Sequence, residues 1–136
     1  MIVKRHLVIP ADHAVGTQIQ PVTLFDRNTA KNHFILVASN HIAQANMSIY
    51  FILGHHASTT QVRDRKDQLV ETRHEYQSLS GLPEEDREKI VNVVKTALAP
   101  KEGRKTRVIV QTEEDFLNAL KNPNNPLECV RVEEME

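Results

Sequence analysis

Residues 33–60 read HFILVASNHIAQANMSIYFILGHHASTT and form the most apolar continuous part of the chain. The segment opens with an unbroken apolar run within 33–39, which is typical of a buried strand. It closes with a cluster of histidine, serine and threonine side chains at 55–60. We therefore expect the other segments to bury this stretch or to extend from it.

Two interpretations of residues 41–53 compete. The run IYFI at 49–52 is β-branched and aromatic, which favours a strand. Apolar side chains also recur at helical spacing, at Ile42, Ala45, Ile49 and Ile52. Asn40 can cap the start of a helix, and Gly54 stands where a helix-terminating glycine belongs. Because the spacing and both termini agree, we predict a helix.

Length and composition indicate an ordinary globular protein. A chain of 136 residues predicts a single domain over 1–136, large enough to bury a core without disulfides. Four Phe, two Tyr and no Trp predict an aliphatic core and leave no aromatic platform for stacking on nucleic-acid bases. The formal net charge of −1 argues against a protein that coats nucleic acid or an anionic membrane.

Cysteine content and hydropathy bear on the compartment. The single cysteine, Cys129, excludes an internal disulfide and a cysteine-rich metal site, which fits a reducing compartment. The N-terminal apolar run is too short for a signal peptide, and no stretch reaches the length of a transmembrane helix. We expect a cytoplasmic protein with no membrane partner.

The remaining pattern predicts an α/β or α+β domain whose mixed sheet carries helices, in the order β-β-β-α-α-α-β-α-β. Strands are predicted at 2–9, 18–25, 33–39, 106–111 and 127–133, and helices at 41–53, 59–79, 83–98 and 112–121. Turn residues between the second and third strands predict an antiparallel hairpin. The last strand–helix–strand unit resembles a parallel crossover.

The predicted helix at about 59–79 is nearly all polar. Only Val62, Leu69 and Tyr76 recur at every seventh position, with few apolar neighbours, so its apolar seam is narrow. Arg63 and Asp67 lie one helical turn apart and can pair at the surface. Because such a helix gains little from the core of a monomer, we expect it to mediate homo-oligomerisation.

Histidines provide the first candidate site. Adjacent residues of an extended backbone point to opposite sides, so His55 and His56 cannot readily chelate one metal ion. One of these histidines, with Ser58 and the free backbone amides at the start of the next predicted helix, suits a phosphate or a carboxylate. The alternative is a pair of loop histidines that are hydrogen-bonded to the backbone. Asn40 and His41 begin a polar stripe that either lines a pocket or faces water.

A second candidate is the basic run at 101–107. Arg104, Lys105 and Arg107 surround a backbone that Gly103 allows to bend, and arginine forks suit phosphate. Solvated loop charges are the alternative interpretation. No metal-ligand spacing, nucleophile motif or glycine-rich cofactor loop occurs, so we expect no metal, no cofactor and no catalytic residue.

The function that remains is a non-enzymatic binding or regulatory protein for a small anionic, nucleotide-like ligand. Two alternatives stay open. One is a metal-free phosphodiesterase or other phosphate-acting enzyme that uses a histidine as general acid–base. The other is a plain protein-interaction module.

Overall fold

The computed structural model describes residues 3–11, 18–98, 106–121 and 130–134. Within these residues the strands are β1 (Val3–Pro10), β2 (Gln18–Asp26), β3 (Lys31–Ile42), β4 (Met47–Arg63), β5 (Leu69–Ser78), β6 (Arg107–Thr112) and β7 (Arg131–Glu134). The α-helices of the same residues are α1 (Glu84–Leu98) and α2 (Glu113–Leu120). Short 3₁₀ turns cover Ala43–Ala45 and Leu79–Gly81.

These strands form one mixed sheet, which confirms the predicted fold class. The strand order is β2-β3-β4-β5-β1-β7, and neighbours along this path run antiparallel. β6 lies off the path and pairs with β4 in parallel. The predicted hairpin of the second and third strands is confirmed, and Pro21 lies on β2, which is an edge strand as a proline predicts.

The pairing of β4 creates a split in the sheet. β3 lies beside residues 47–55, while β6 pairs with 47–52 and β5 with 54–63. β3 occupies one edge of β4 along this stretch. β5 and β6 each pair with residues of the same stretch, so these two strands lie on the opposite edge of β4. Their carboxyl-terminal ends, at Ser78 and Thr112, pair with Gly54 and Ile52 and therefore face each other across Leu53.

The two helices lie on opposite faces of this sheet. Leu36 of β3 belongs to a core that includes Phe116 of α2, whereas its neighbour Ile35 belongs to a core that includes Ile90 and Val94 of α1. Alternate residues of a strand point to opposite faces. After β5 the chain therefore passes to the face that carries α1, and after β6 it passes to the opposite face, which carries α2.

The predicted helix at 41–53 is wrong, because this region is the end of β3, a turn and the start of β4. Asn46 adopts a left-handed φ of 48°, which asparagine tolerates and which interrupts a helix. Its carbonyl oxygen accepts a bond from the Arg107 amide at 3.0 Å. Residues 47–52 gain strand neighbours on both sides, so the β-branched and aromatic run determines the outcome.

The predicted helix at 59–79 is also wrong, because β4 and β5 form a hairpin there. The Asp64 carboxylate accepts the amides of Lys66 and Gln68 at 2.8 and 2.9 Å, which closes the turn. Asp67 adopts a left-handed φ of 61°. The predicted Arg63–Asp67 pair does occur, at 3.9 Å, but across this turn.

The association surface inferred from that helix loses its basis. Val62 and Leu69 lie on the two arms of the hairpin, and Tyr76 is fully buried beneath α2. A seven-residue spacing does not define one face of a strand, whose period is two. The three residues therefore do not form a common exposed seam.

The predicted parallel crossover is likewise absent, since β6 pairs with β4 and β7 pairs antiparallel with β1. Two residues of β7, which lies beside β1, form ion pairs with other strands. Glu134 lies 3.3 Å from Arg5, and Glu133 lies 2.6 Å from Arg73 of β5. The two glutamates of this short strand thus pair with arginines of β1 and β5.

Candidate functional site

A cavity of about 700 Å³ lies at the split where β5 and β6 end. Ile52 of β4 is at its inner side, Leu79 and Ser80 follow β5, and Thr112 and Glu113 join β6 to α2. One side of α1 also lines it, through Glu84, Arg87, Glu88, Val91, Asn92 and Lys95. Concave cavities lined by apolar side chains and a few polar groups are common ligand sites in proteins.

A buried carboxylate orders the wall of this cavity. Glu113 is only 6% exposed, and its Oε1 accepts bonds from the Arg5 guanidinium at 2.5 Å and from Ser78 Oγ at 2.6 Å. Its Oε2 accepts the Tyr76 hydroxyl at 2.5 Å. Burial and the Glu113 charge raise the pKa of Tyr76, so this hydroxyl remains a donor. The network ties β1, β5 and α2 together.

Among the described cations that line the cavity, Arg87 has a buried nitrogen without a hydrogen-bond partner. It is partly buried on α1, and its Nε atom is buried without a hydrogen-bond partner among the described residues. A buried charged donor that lacks a partner is costly, and such a group marks a place where a ligand acceptor fits. Arg5, in contrast, is satisfied by Glu113 and Glu134.

The other charges of the cavity lie at its rim. Glu84, Glu88, Glu114 and Lys95 are all solvent-exposed, so water screens their influence on a bound ion. The first turns of both helices border the cavity through Glu84 and Glu113. Helix N-termini carry a partial positive charge, which offsets part of this acidity.

A chain of hydroxyls leads from the cavity to the buried carboxylate. Ser80 lines the cavity and lies 2.8 Å from Ser78 Oγ, which donates to Glu113. Since the single proton of Ser78 goes to Glu113, Ser80 must donate to Ser78. Three donors engage Glu113, so this chain of hydroxyls orders the wall of the cavity.

The predicted histidine site lies elsewhere on β4, and its two members point to opposite faces as expected. On the α1 face, the rings of His55 and His33 have centroids 6.2 Å apart, and His33 Nε2 lies 3.6 Å from Asp26 Oδ2. Burial, and then the nearby His33, lower the pKa of His55. Burial would raise the pKa of Asp26, but bonds from the Asn28 amide and the Thr29 hydroxyl, together with the nearby His33, outweigh it and lower the pKa.

On the α2 face, Thr59 bridges two histidines. Its Oγ1 lies 2.8 Å from His56 Nε2 and 2.9 Å from His74 Nδ1. Because the hydroxyl has one proton, at least one histidine nitrogen must be the donor. Burial, and then His56, lower the pKa of His74. Ser58 instead donates to Glu75 at 3.0 Å and does not join this group.

The structure does not gather the other predicted residues around the histidines. Asn40 and His41 end β3, where His41 Nδ1 lies 3.0 Å from Ser48 Oγ. Arg107 begins β6 beside Met47, so it lies near the same end of the sheet. That end is on the order of 20 Å along β4 from His55. Arg104 and Lys105 lie outside the described residues.

Sequence reasoning missed Arg87 and Glu113. The signal for Glu113 was present, because Thr112 and Asp115 form a capping box and so fix where α2 begins. Arg87 directly follows the acidic first turn of α1. A cation at such a position is common on a helix surface, so nothing in the sequence indicates that Arg87 lines a cavity. Both residues border one cavity because β5 and β6 pair with the same edge of β4, and these pairings join residues that are far apart in the sequence.

Comparison with protein-family models, with curated proteins and with solved structures finds no match to this chain. Within the described residues, no helix is long and apolar enough to cross a membrane. The same residues contain no group of three or more histidine, cysteine, aspartate or glutamate side chains placed to hold a metal ion.

Proposed function

We propose that this protein binds a small anionic ligand in the cavity at the split, with Arg87 as the group that contacts the anion. The observation that carries the proposal is that Arg87, whose Nε is buried without a partner among the described residues, lines a cavity of about 700 Å³. A hydrogen bond from such a group to a charged acceptor contributes about 1.5–3 kcal/mol. Ligand pockets in proteins have comparable volumes.

Binding accounts for the cavity better than turnover does. Its most buried carboxylate, Glu113, is held by three donors, among them the Arg5 guanidinium, and so joins β1, β5 and α2. None of the described residues that line the cavity is a histidine. The histidine acid–base alternative would therefore need a different site, around His55 or His56.

The proposal is tested by thermal unfolding with a panel of anions: acetate, octanoate, inorganic phosphate and AMP. A ligand present at one hundred times its Kd stabilises the folded state by about 2.7 kcal/mol. We expect at least one anion to stabilise the wild-type protein and this gain to disappear in Arg87→Gln, because the neutral amide lacks the charged fork.

Arg65→Gln is the matched control. Arg65 is exposed in the turn between β4 and β5, far along β4 from the cavity. It should retain the full ligand-induced stabilisation. The proposal fails when no anion in the panel stabilises the wild type, or when Arg87→Gln responds as Arg65→Gln does.

A further inference from the structure

We infer that the ligand is an amphipathic monocarboxylate, with its carboxylate on Arg87 and an aliphatic body along the inner wall of the cavity. This inference rests on the proposed function and names the chemical class of its ligand. The cavity should therefore prefer an apolar organic acid to a nucleotide or a free phosphate ion.

The inner wall of the cavity is aliphatic. Ile52 and Leu79 come from the sheet side, Val91 from α1, Val110 from β6 and Leu117 from α2. Ile52 and Leu79 are at most 7% exposed, and Val91, Val110 and Leu117 are partly buried. Apolar surface of this kind is stabilised when a ligand displaces water from it. A bare inorganic anion would leave this wall in contact with water.

The charges of the cavity limit how much negative charge a ligand can carry. Once Arg5 is neutralised by Glu113, the remaining lining cations are Arg87 and the exposed Lys95. The exposed rim carboxylates of Glu84, Glu88 and Glu114 face them. Each further negative charge on a ligand would be repelled by these carboxylates, whereas a single carboxylate matches the planar fork of one arginine.

The described lining also offers no ring on which a nucleobase could stack. None of the described lining residues is aromatic, so no ring is available for stacking on a base. The volume of about 700 Å³ exceeds what a bare carboxylate fills. An aliphatic chain fills it without requiring further polar partners.

The test is calorimetric titration of the full chain with straight-chain carboxylates from acetate to octanoate, and with octylamine, inorganic phosphate and AMP. We expect affinity to rise about fourfold for each methylene until the cavity is filled. Octanoate should bind at least tenfold more tightly than octylamine, phosphate or AMP. Arg87→Gln should weaken octanoate at least tenfold, by loss of the charged fork.

Leu117→Gln distinguishes the apolar wall from the anion contact. It should flatten the chain-length dependence while acetate affinity is kept, and Leu69→Gln, an exposed hairpin residue, should change neither. Tighter Arg87-dependent binding of phosphate or AMP than of octanoate overturns this inference and leaves the proposed function standing. Octylamine binding as tightly as octanoate also overturns the inference. Failure of every anion to bind overturns both.

Discussion

The buried carboxylate beside the cavity allows a sharp prediction about stability. Glu113→Gln preserves the shape of the side chain but removes the charge that three donors share. An amide offers one acceptor oxygen and places an NH₂ group against at least one of these donors. Arg5, whose side chain is 15% exposed, then lacks its buried counter-charge.

The magnitude follows from the burial of this pair. Removing one partner of a buried ion pair costs about 3–5 kcal/mol. Arg5 retains Glu134 at 3.3 Å, which favours the lower end of that range. We therefore expect Glu113→Gln to lower the free energy of unfolding by about 3 kcal/mol, and Tm by about 10 °C for a chain of this size.

Urea denaturation measures this loss, and Glu134→Gln is its control. Glu134 contacts the same arginine, but its side chain is 75% exposed, so its removal should cost no more than about 0.5 kcal/mol. The reasoning is refuted when Glu113→Gln and Glu134→Gln have equal stabilities, or when Glu113→Gln loses less than about 1 kcal/mol.

Three further predictions concern the sheet. Asn46→Val should cost about 1–2 kcal/mol, because valine disfavours the left-handed conformation, whereas Asn46→Gly should be nearly neutral; both are measured by urea denaturation. Gly54→Ala should destabilise by about 1–3 kcal/mol or more, since the added methyl overlaps the Gln77 carbonyl oxygen; an unchanged Tm would contradict the pairing of β4 with β5. Burial and then the neighbouring His56 lower the pKa of His74. Neutral His74 therefore makes its full contribution to the free energy of unfolding above the unfolded-state pKa of about 6.5, and this contribution is lost as the pH falls below that value. His74→Gln should reduce the loss of stability between pH 7.5 and 5.5, and the exposed His41→Gln should not.

Local patterns predicted the elements whose signals lie within a few residues. The predicted helices at 83–98 and 112–121 are confirmed as α1 and α2, because the acidic first turn of α1 and the Thr112 capping box of α2 are local signals. The turn residues between β2 and β3 predicted their hairpin for the same reason. The predicted mixed sheet follows from these elements.

The errors occurred where long-range pairing overrides a local period. Residues 41–53 and 59–79 each show a helical repeat, yet both become strands because neighbouring strands pair with them. The turns at Asn46 and Asp64 carried the correct signal, since asparagine and aspartate favour such turns.

The cavity itself could not be predicted, because it exists only when β5 and β6 end against each other on one edge of β4. No periodicity in the chain encodes that arrangement. Sequence reasoning therefore placed anion contacts on histidines and on a basic loop, whereas the unpartnered buried cation of the described residues is Arg87.

NMR titration of the ¹⁵N-labelled full chain with octanoate, which follows the arginine Nε–H resonances and the backbone amides, tests whether Arg87 holds the ligand. We expect the largest saturable shifts at the Nε–H of Arg87 and at the amides of Ser80 and Glu113, which border the cavity. An unchanged Arg87 Nε–H at saturation, or the largest shifts at His55 and His56, would contradict this expectation.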